Sequence, residues 1–387
     1  MVEHGILHVH SYFSLHDSTQ SPEMIIKRAK EIGCQHITLT DHGTLMGIDD
    51  FMDAGKQYGI NAIPGVEMYM ENRYHLVMIA KNYKGFQAIS KALRDANEHQ
   101  YIREMQGFRF VYPIMTKEIM ESLRGNPDII VTSACIQGPV AAILLKHYYT
   151  EKEKNKIHAK MQLLEEDVAA YKKASEAYTS LTQKYKEYSA TRTQFLRYTK
   201  DTYQNQIQRK KERLESQKQL LLDFPEMKTE KEQKKYTQLL EKIQKAENEI
   251  RVMEETRTSA METVAFSEQK MKKITLQKKK AAAIRNDTKT KKARYDKYQE
   301  KLKDITCPKE TDLYEEAKVV AADLKALFPH FYLEIQNHGL EQEQIVMPQL
   351  VQLSKELQIP LIAANDAHMA DNSEDSIRAR QLVRFNY

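Results

Sequence analysis

No glycine occurs between Gly138 and Gly339, and the one proline between Pro139 and Pro308 is Pro225. A stretch so long without backbone breakers, rich in Lys, Glu, Gln and Ala, resolves into long helix. Apolar and tyrosine positions recur at steps of three and four. Met161, Leu164, Val168, Tyr171, Tyr178 and Tyr185 mark the way out, and Tyr236, Leu239, Ile243, Ala246, Ile250 and Met253 the way back. That is coiled-coil spacing, with tyrosine weakening the seam in places. Pro225 lies near the middle, and a proline inside a helix costs about 3 kcal/mol. The pattern therefore predicts an antiparallel hairpin over a single parallel coil. It runs out along 150–222, turns near 223–229 at Asp223–Glu226, and returns along 230–304. Each arm would reach about 110 Å. Both ends of such a hairpin return to one place, so it is an insertion in a globular domain made of 1–149 and 305–387.

The globular part alternates. "GILHVH", "QHITLTD", "NAIPGVEMYM", "YHLVMIAKN", "DIIVTSAC", "FYLEIQN" and "PLIAAND" read as short buried strands. Between them lie amphipathic helices, among them "SPEMIIKRAKEIG", with a Ser–Pro start and a glycine stop, "GIDDFMDAGKQYG" and "KGFQAISKALRDANEH". "LYEEAKVVAADLKALF" and "QIVMPQLVQLSKELQ" repeat the pattern near the C-terminus. Strands alternating with helices over this length predict a parallel α/β fold of barrel size.

Residues suited to metal binding fall at the ends of these strands. His8 and His10 close "GILHVH", Asp41 and His42 close "ITLTDH", and Glu67 closes "AIPGVE". Cys135 closes "IIVTSAC", and Asp366 and His368 close "LIAANDAH". In a parallel barrel the C-terminal strand ends meet on one rim, where active sites are built. Members of an H-x-H or D-x-H pair share one face of a strand. A single strand-end histidine is ordinary, but five strands delivering such residues to one rim predict a shared metal site. Imidazole and carboxylate ligands suit zinc, manganese or iron, and a set this rich predicts two or three ions bridged by a carboxylate. His4, His36, His99, His147 and His330 fit no such position. His75 opens its strand, and on position alone it reads as structural.

The net charge of +5 hides a division. Residues 150–304 hold 38 Lys+Arg against 25 Asp+Glu, and 271–304 hold 13 against 4. Lys272, Lys273, Lys278, Lys279, Lys280, Lys291, Lys292 and Arg294 make a basic stripe suited to a nucleic-acid backbone. Such runs on helices are also ordinary solvated faces. Three widely spaced cysteines argue against a disulfide framework. No apolar run is long enough to span a bilayer, and the N-terminus lacks the order of a signal peptide. A cytoplasmic location with no membrane partner is the expectation.

The strings "LHVHSYFSLHD", "RAKEIGCQHITLTDHGTLMGIDDF", "IPGVEMY", "YHLVMIAKN", "VTSACIQGPVAAILL", "FYLEIQNHG" and "PLIAANDAHM" resemble, in order, the PHP (polymerase and histidinol phosphatase) domain of bacterial DNA polymerase III alpha subunits. The resemblance implies a distorted (β/α)7 barrel with up to three metals. It places His8, His10, Glu67 and Asp366 at one subsite, and His75 and Cys135 with Glu67 at a second. Asp17, His42 and His368 match a third, with His16 a possible substitute for Asp17. All nine would be catalytic through bound metal. Asp41, between a strand and His42, could orient a ligand from behind.

For that branch the resemblance implies a metal-dependent phosphoesterase, and a proofreading-type 3′→5′ exonuclease on DNA. A metal-stabilised scaffold without turnover, or a phosphatase of the histidinol phosphate kind, are the competing expectations. The family's usual polymerase version has only a short connection where the helical insertion lies here. No polymerase palm is present, and "SIRARQLVRFNY" resembles the family's passage out of the domain, so a fragment of a longer protein is expected. A polymerase core or another replication or repair protein would then be the arm's partner.

Overall fold

The computed structural model describes residues 5–15, 17–105, 108–226, 228–369, 373 and 377–378. The chain divides into two compact units, Met1–Lys154 with Ile305–Tyr387, and Asn155–Asp304. The strands are β1 (Gly5–Ile6), β2 (His36–Leu39), β3 (Asn61–Met70), β4 (His75–Ala80), β5 (Gln100–Met105), β6 (Phe108–Met115), β7 (Ile129–Thr132), β8 (Phe331–Ile335) and β9 (Leu361–Ala363). The helices of the first unit are α1 (Pro22–Glu31), α2 (Ile48–Tyr58), α3 (Tyr83–Ala96), α4 (Lys117–Ser122) and α5 (Pro139–Leu144). After α6 (Lys146–Gln162), the second unit holds α7 (Glu165–Thr199), α8 (Asp201–Leu222) and α9 (Glu230–Asp304). The chain then adds α10 (Glu310–Leu327) and α11 (Glu341–Leu357) to the first unit. No helix among the described residues is long and apolar enough to cross a membrane.

Local chemistry explains the short helices. The Ser21 hydroxyl accepts the Met24 N–H at the start of α1, and Pro22 takes the first turn, a cap that contributes about 1 kcal/mol. Pro22, Ile25, Ile26 and Ala29, at helical steps, turn inward. Asn82 caps α3 in the same way, and α2 stops on Gly59 at φ 71°. Met68, Leu76, Met78, Ile129 and Leu333 of the sheet pack with Ile89, Leu324, Phe328, Leu350 and Leu353 in one apolar core.

The sheet runs β1-β2-β3-β4-β7-β8-β9, with β6 also paired to β3 and β5 to β6. It curls so that the segment after β1 meets the segment after β9. Val9 bridges Ala367 in parallel, the His10 N–H donates to the Ala367 carbonyl at 2.9 Å, and the Ala367 N–H donates to that of His8 at 3.0 Å.

Two features depart from the expected parallel order. β4 is antiparallel to both β3 and β7. Four residues join β3 to β4, whereas a parallel crossover needs a dozen or more. The turn is closed by Arg73 N–H to the Met70 carbonyl at 2.7 Å and Met70 N–H to that of Tyr74 at 2.8 Å. The second departure is the β5–β6 pair, absent from the sequence reading, which extends the sheet beyond β3.

In the second unit, the buried residues of α9 include Ile243 and Ile250, then Ala260, Ser267, Ile274, Ala281 and Thr288 at steps of seven. Asp167–Lys291, Arg192–Glu268 and Lys210–Glu249 join α7 and α8 to α9, numbers rising in one as they fall in the other. Pro225 lies in the non-helical segment between α8 and α9. The outgoing stretch is not one helix as expected. It breaks at Leu163–Leu164 and again at Lys200, whose ψ of 153° is extended. Neither break carries glycine or proline, and nothing in the structure explains them.

Candidate metal centre

The curled sheet gathers the strand-end residues around one carboxylate. Glu67 is 1% exposed. Its Oε1 lies 3.4 Å from His8 Nε2 and 3.1 Å from His75 Nδ1. Its Oε2 lies 3.3 Å from His10 Nε2 and 2.8 Å from His42 Nδ1. Asp366 Oδ1 is 3.3 Å from both His8 Nε2 and His10 Nε2. Asp17 Oδ2 is 2.7 Å from His368 Nε2 and 3.3 Å from His42 Nε2.

His75 reaches this rim because β4 is antiparallel. Its N-terminal end lies where the C-terminal ends of its neighbours lie, so opening the strand is the equivalent position. Asp366 is delivered by a residue in the left-handed region, φ 45°, a conformation that costs a non-glycine residue about 1 kcal/mol.

Outer partners set the imidazole tautomers. His8 Nδ1–H donates to Glu334 at 2.8 Å, which leaves the Nε2 lone pair facing inward. The Ser14 hydroxyl donates to Asp41 Oδ1 at 2.7 Å, so its oxygen accepts His10 Nδ1–H at 2.8 Å. His368 Nδ1–H donates to the Asp366 carbonyl at 2.8 Å. In their neutral form these three imidazoles would point unprotonated Nε2 atoms at carboxylate oxygens, a repulsive arrangement unless a cation or extra protons lie between them.

Several of these atoms are buried without a hydrogen-bond partner: His8 Nε2, His10 Nε2, His42 Nδ1, His368 Nε2, Glu67 Oε2 and Asp366 Oδ1. Unpaired buried polar atoms are costly, and here they cluster on one another. The donor set fits divalent metal. The triads His8–His10–Glu67, His42–Glu67–His75 and His10–His42–His368 each bring ligand atoms within 4.8 Å of one another. The implied subsites cut across these triads, with His10 and His42 each facing two groups.

Electrostatics agree. Burial pushes His8 and His42 down, but the surrounding carboxylates prevail. Glu334, Glu67 and Asp366 hold His8 well above its usual value, and Glu67 and Asp17 hold His42 up to about 10. Burial pushes Glu67 up, and His75, His42 and His8 hold it well below the carboxylate range. Asp366 is lowered likewise against burial by His8 and His10. Burial and His10 lower His368 against the pull of Asp17. Burial pushes the Cys135 thiol up, and Glu67 and Asp366 add to it.

A pH dependence follows for metal-free protein. Stability from the raised His8 and His42 is complete below their ordinary value of 6.5 and is lost as pH rises, for His42 through about 10. The raised Cys135 adds to the fall above 9. His368, lowered, acts only below 6.5. In chelator, the melting temperature is expected to drop by at least about 5 °C between pH 6.5 and 10. A flat profile in thermal melts would show that these contacts are not formed.

Among the described residues, the Asp41 carboxylate makes no hydrogen bond or ion pair to an imidazole. It accepts Ser11 N–H, Ser11 Oγ–H and Ser14 Oγ–H, each at 2.7 Å, and acts on His10 through Ser14. The sequence reading missed Glu334, 2% exposed, which also accepts from Thr132 Oγ and, at 2.7 Å, Gln336 Nε2. The period of two in "FYLEI" sets Glu334 on the face opposite Leu333, and both are buried, so alternation alone gives no signal for it. Cys135 is buried after Ala134, which is left-handed at φ 56°. Gly138 closes this turn so tightly that a Cβ would lie 1.7 Å from the Ser133 carbonyl. His16 lies outside the described residues.

The basic stripe is divided. Lys278 covers the Tyr178 and Tyr185 rings, Lys291 pairs with Asp167 at 2.9 Å and Lys292 with Asp296 at 2.6 Å. These three make contacts within the helices themselves. Lys272, Lys273, Lys279, Lys280 and Arg294 are exposed.

Residues 7–190 match the PHP domain family. Over 161 residues the chain is 33% identical to a DNA polymerase III subunit alpha of Helicobacter pylori, covering 39% of this chain and 12% of that protein. It is 34% identical over 165 residues to that of Borreliella burgdorferi, covering 39% and 13%. The chain thus spans about an eighth of the length of these relatives. A solved structure described as a candidate metal-dependent phosphoesterase, from Bifidobacterium adolescentis, is 21% identical with a TM-score of 0.22, covering 25% of this chain and 34% of that one.

Proposed function

We propose that the PHP domain matched over residues 7–190 is a metal-dependent phosphoesterase that hydrolyses DNA from its 3′ end, a proofreading-type 3′→5′ exonuclease belonging to a C-family replicative polymerase or a relative. The observation that carries this reading is the inward aim of His8 and His10 Nε2 at Glu67 and Asp366, and of His368 Nε2 at Asp17. His8, His10, Glu67 and Asp366, then His75 and Cys135 with Glu67, then Asp17, His42 and His368 would hold two or three ions of zinc, manganese or iron. Such ions lower the pKa of a bound water toward 7 and neutralise phosphate oxygens.

The chain's own residues do the positioning. Glu67 offers both oxygens and fixes the spacing of the groups on either side. Glu334, and Asp41 through Ser14, hold the His8 and His10 rings. Val77, Ile79 and Ala134, with Leu7, Ile63 and Ile130 beside them, form a separate apolar cluster of the sheet. The side chains of Asp17, Asp366 and His42 are 22%, 19% and 14% exposed, so the approach for a phosphodiester is on their side.

The proposal extends to the architecture: a distorted (β/α)7 barrel of 1–149 and 305–387, with a coiled-coil arm over 150–304 and a cytoplasmic setting. The arm would take a DNA backbone on Lys272, Lys273, Lys279, Lys280 and Arg294, or hold a polymerase core or another replication or repair protein. The full burial of His8 and His10 favours one alternative, a metal-stabilised scaffold without turnover.

Incubation of the protein with 3′- and 5′-labelled single-stranded DNA and Mn²⁺ separates the two. Stepwise loss from the 3′ end, abolished by Asp366→Asn and by His10→Ala, is expected. No degradation by folded, metal-loaded protein with Mn²⁺, Zn²⁺, Fe²⁺ or Mg²⁺ would leave the scaffold. Cleavage of histidinol phosphate in place of DNA would assign the small-molecule phosphatase.

A further inference from the structure

Glu67 and Tyr69 stand two residues apart on β3 and share one face of the sheet. From Tyr69 a row of rings continues outward. Tyr69 stacks 5.6 Å from His42 at 21° and meets His75 edge-on at 5.2 Å. Tyr112 of β6 meets Tyr69 edge-on at 5.0 Å, and Tyr101, its cross-strand partner on β5, follows at 6.1 Å. Over Tyr101, 5.4 Å from the ring centre, lies the Arg73 guanidinium. The row begins among the candidate metal ligands and ends at solvent, where Tyr101 is 41% exposed and Arg73 is also exposed.

Two details show that the row is built in place. Gly43 underlies it at φ 59°, where a Cβ would come within 2.8 Å of Pro113 and 3.2 Å of the Tyr69 ring. Arg73 occupies a left-handed turn position, φ 61°. Glycine would take that conformation without strain, and only an arginine or lysine there sets a cation on the Tyr101 ring.

Resting on the phosphoesterase reading and deepening it, we propose that Tyr112, Tyr101 and Arg73 form a nucleobase subsite for single-stranded DNA beside the metal centre. A base one or two nucleotides removed from the scissile phosphate stacks on the Tyr101–Arg73 end of the row, and the guanidinium pairs with the adjoining phosphate. Bases stack on aromatic rings and guanidinium planes whatever their identity, so the subsite grips a strand without reading its sequence.

The probes are short single-stranded DNAs with 2-aminopurine at the 3′ end or at either of the two positions before it, titrated with the full chain in chelator so that nothing is hydrolysed. The chain has no tryptophan, so its own emission leaves the signal clear. Quenching on binding is expected. Tyr101→Ala should weaken binding about tenfold and remove the quench, whereas Tyr101→Phe keeps both. Arg73→Gly should weaken binding while raising the melting temperature, because the backbone strain is gone. Absence of quenching with the natural chain, or equal quenching with Tyr101→Ala and Arg73→Gly, overturns the subsite. The labelled-DNA assay reads the other proposal separately: hydrolysis without quenching removes the subsite alone, and quenching without hydrolysis leaves it standing and removes the phosphoesterase.

Discussion

Glu67→Gln is expected to empty the metal centre and reduce hydrolysis by at least about a hundredfold, while the helices remain folded. In the natural chain four imidazoles face the two Glu67 oxygens within 3.4 Å. A glutamine of the same shape removes the charge that would hold cations between them. It also aims an N–H₂ at ring nitrogens and leaves one oxygen where two were shared. Elemental analysis after dialysis gives the first reading, with circular dichroism to check the fold. A Glu67→Gln chain that retains metal at the natural stoichiometry would show that Glu67 does not bridge, and the centre would have to be rebuilt on Asp366 and Asp17.

Much of this centre was legible in the sequence, because strand period and strand ends are local properties. His8, His10, Asp41, His42, Glu67, Cys135, Asp366 and His368 could each be placed at the end of an apolar run, and such ends gather wherever neighbouring strands are parallel. His75 defeated that logic for a definite reason. Its strand is reversed by a four-residue turn, and the direction of a strand depends on the loop before it rather than on its own residues. Only the family resemblance placed it in the site.

Glu334 was missed because glutamate in "FYLEIQN" reads as the solvent side of an alternating strand. That side faces the metal centre here, and only the curl of the sheet turns it inward. Ser14 was invisible for a related reason: a loop serine gains its role from two partners, Asp41 and His10, that sequence does not pair. In the helical unit the reverse holds. Of the twelve apolar and tyrosine positions spaced at three and four, Met161, Ile243 and Ile250 are buried and the other nine half-buried, and charge runs do not say which lysines contact the helices. Lys278, Lys291 and Lys292 are taken up by Tyr178, Asp167 and Asp296.

Glu334 supports the second large effect. Metal affinity is expected to fall about tenfold in Glu334→Gln and about a hundredfold in Glu334→Ala. The carboxylate accepts His8 Nδ1–H at 2.8 Å and the Thr132 hydroxyl, and its strand position is fixed by Glu334 N–H to Ser133 Oγ at 2.9 Å. Glutamine keeps an acceptor for His8, and Thr132 can turn its hydroxyl to accept the new N–H. The hydrogen bonds survive and only the charge behind the imidazole is lost. Alanine removes the acceptor, so His8 no longer has a reason to keep its proton on Nδ1 and its lone pair on the metal side. Competition with a calibrated chelator measures both variants. The same substitutions remove the nearest carboxylate that raises His8, so in metal-free protein they should flatten the loss of melting temperature above pH 6.5. Affinity that falls equally in both variants would assign the effect to packing around Glu334. Affinity that falls in neither would mean that His8 is aimed by its strand alone, and that the two Nε2 atoms facing Asp366 are held there by backbone geometry rather than by the carboxylate behind them.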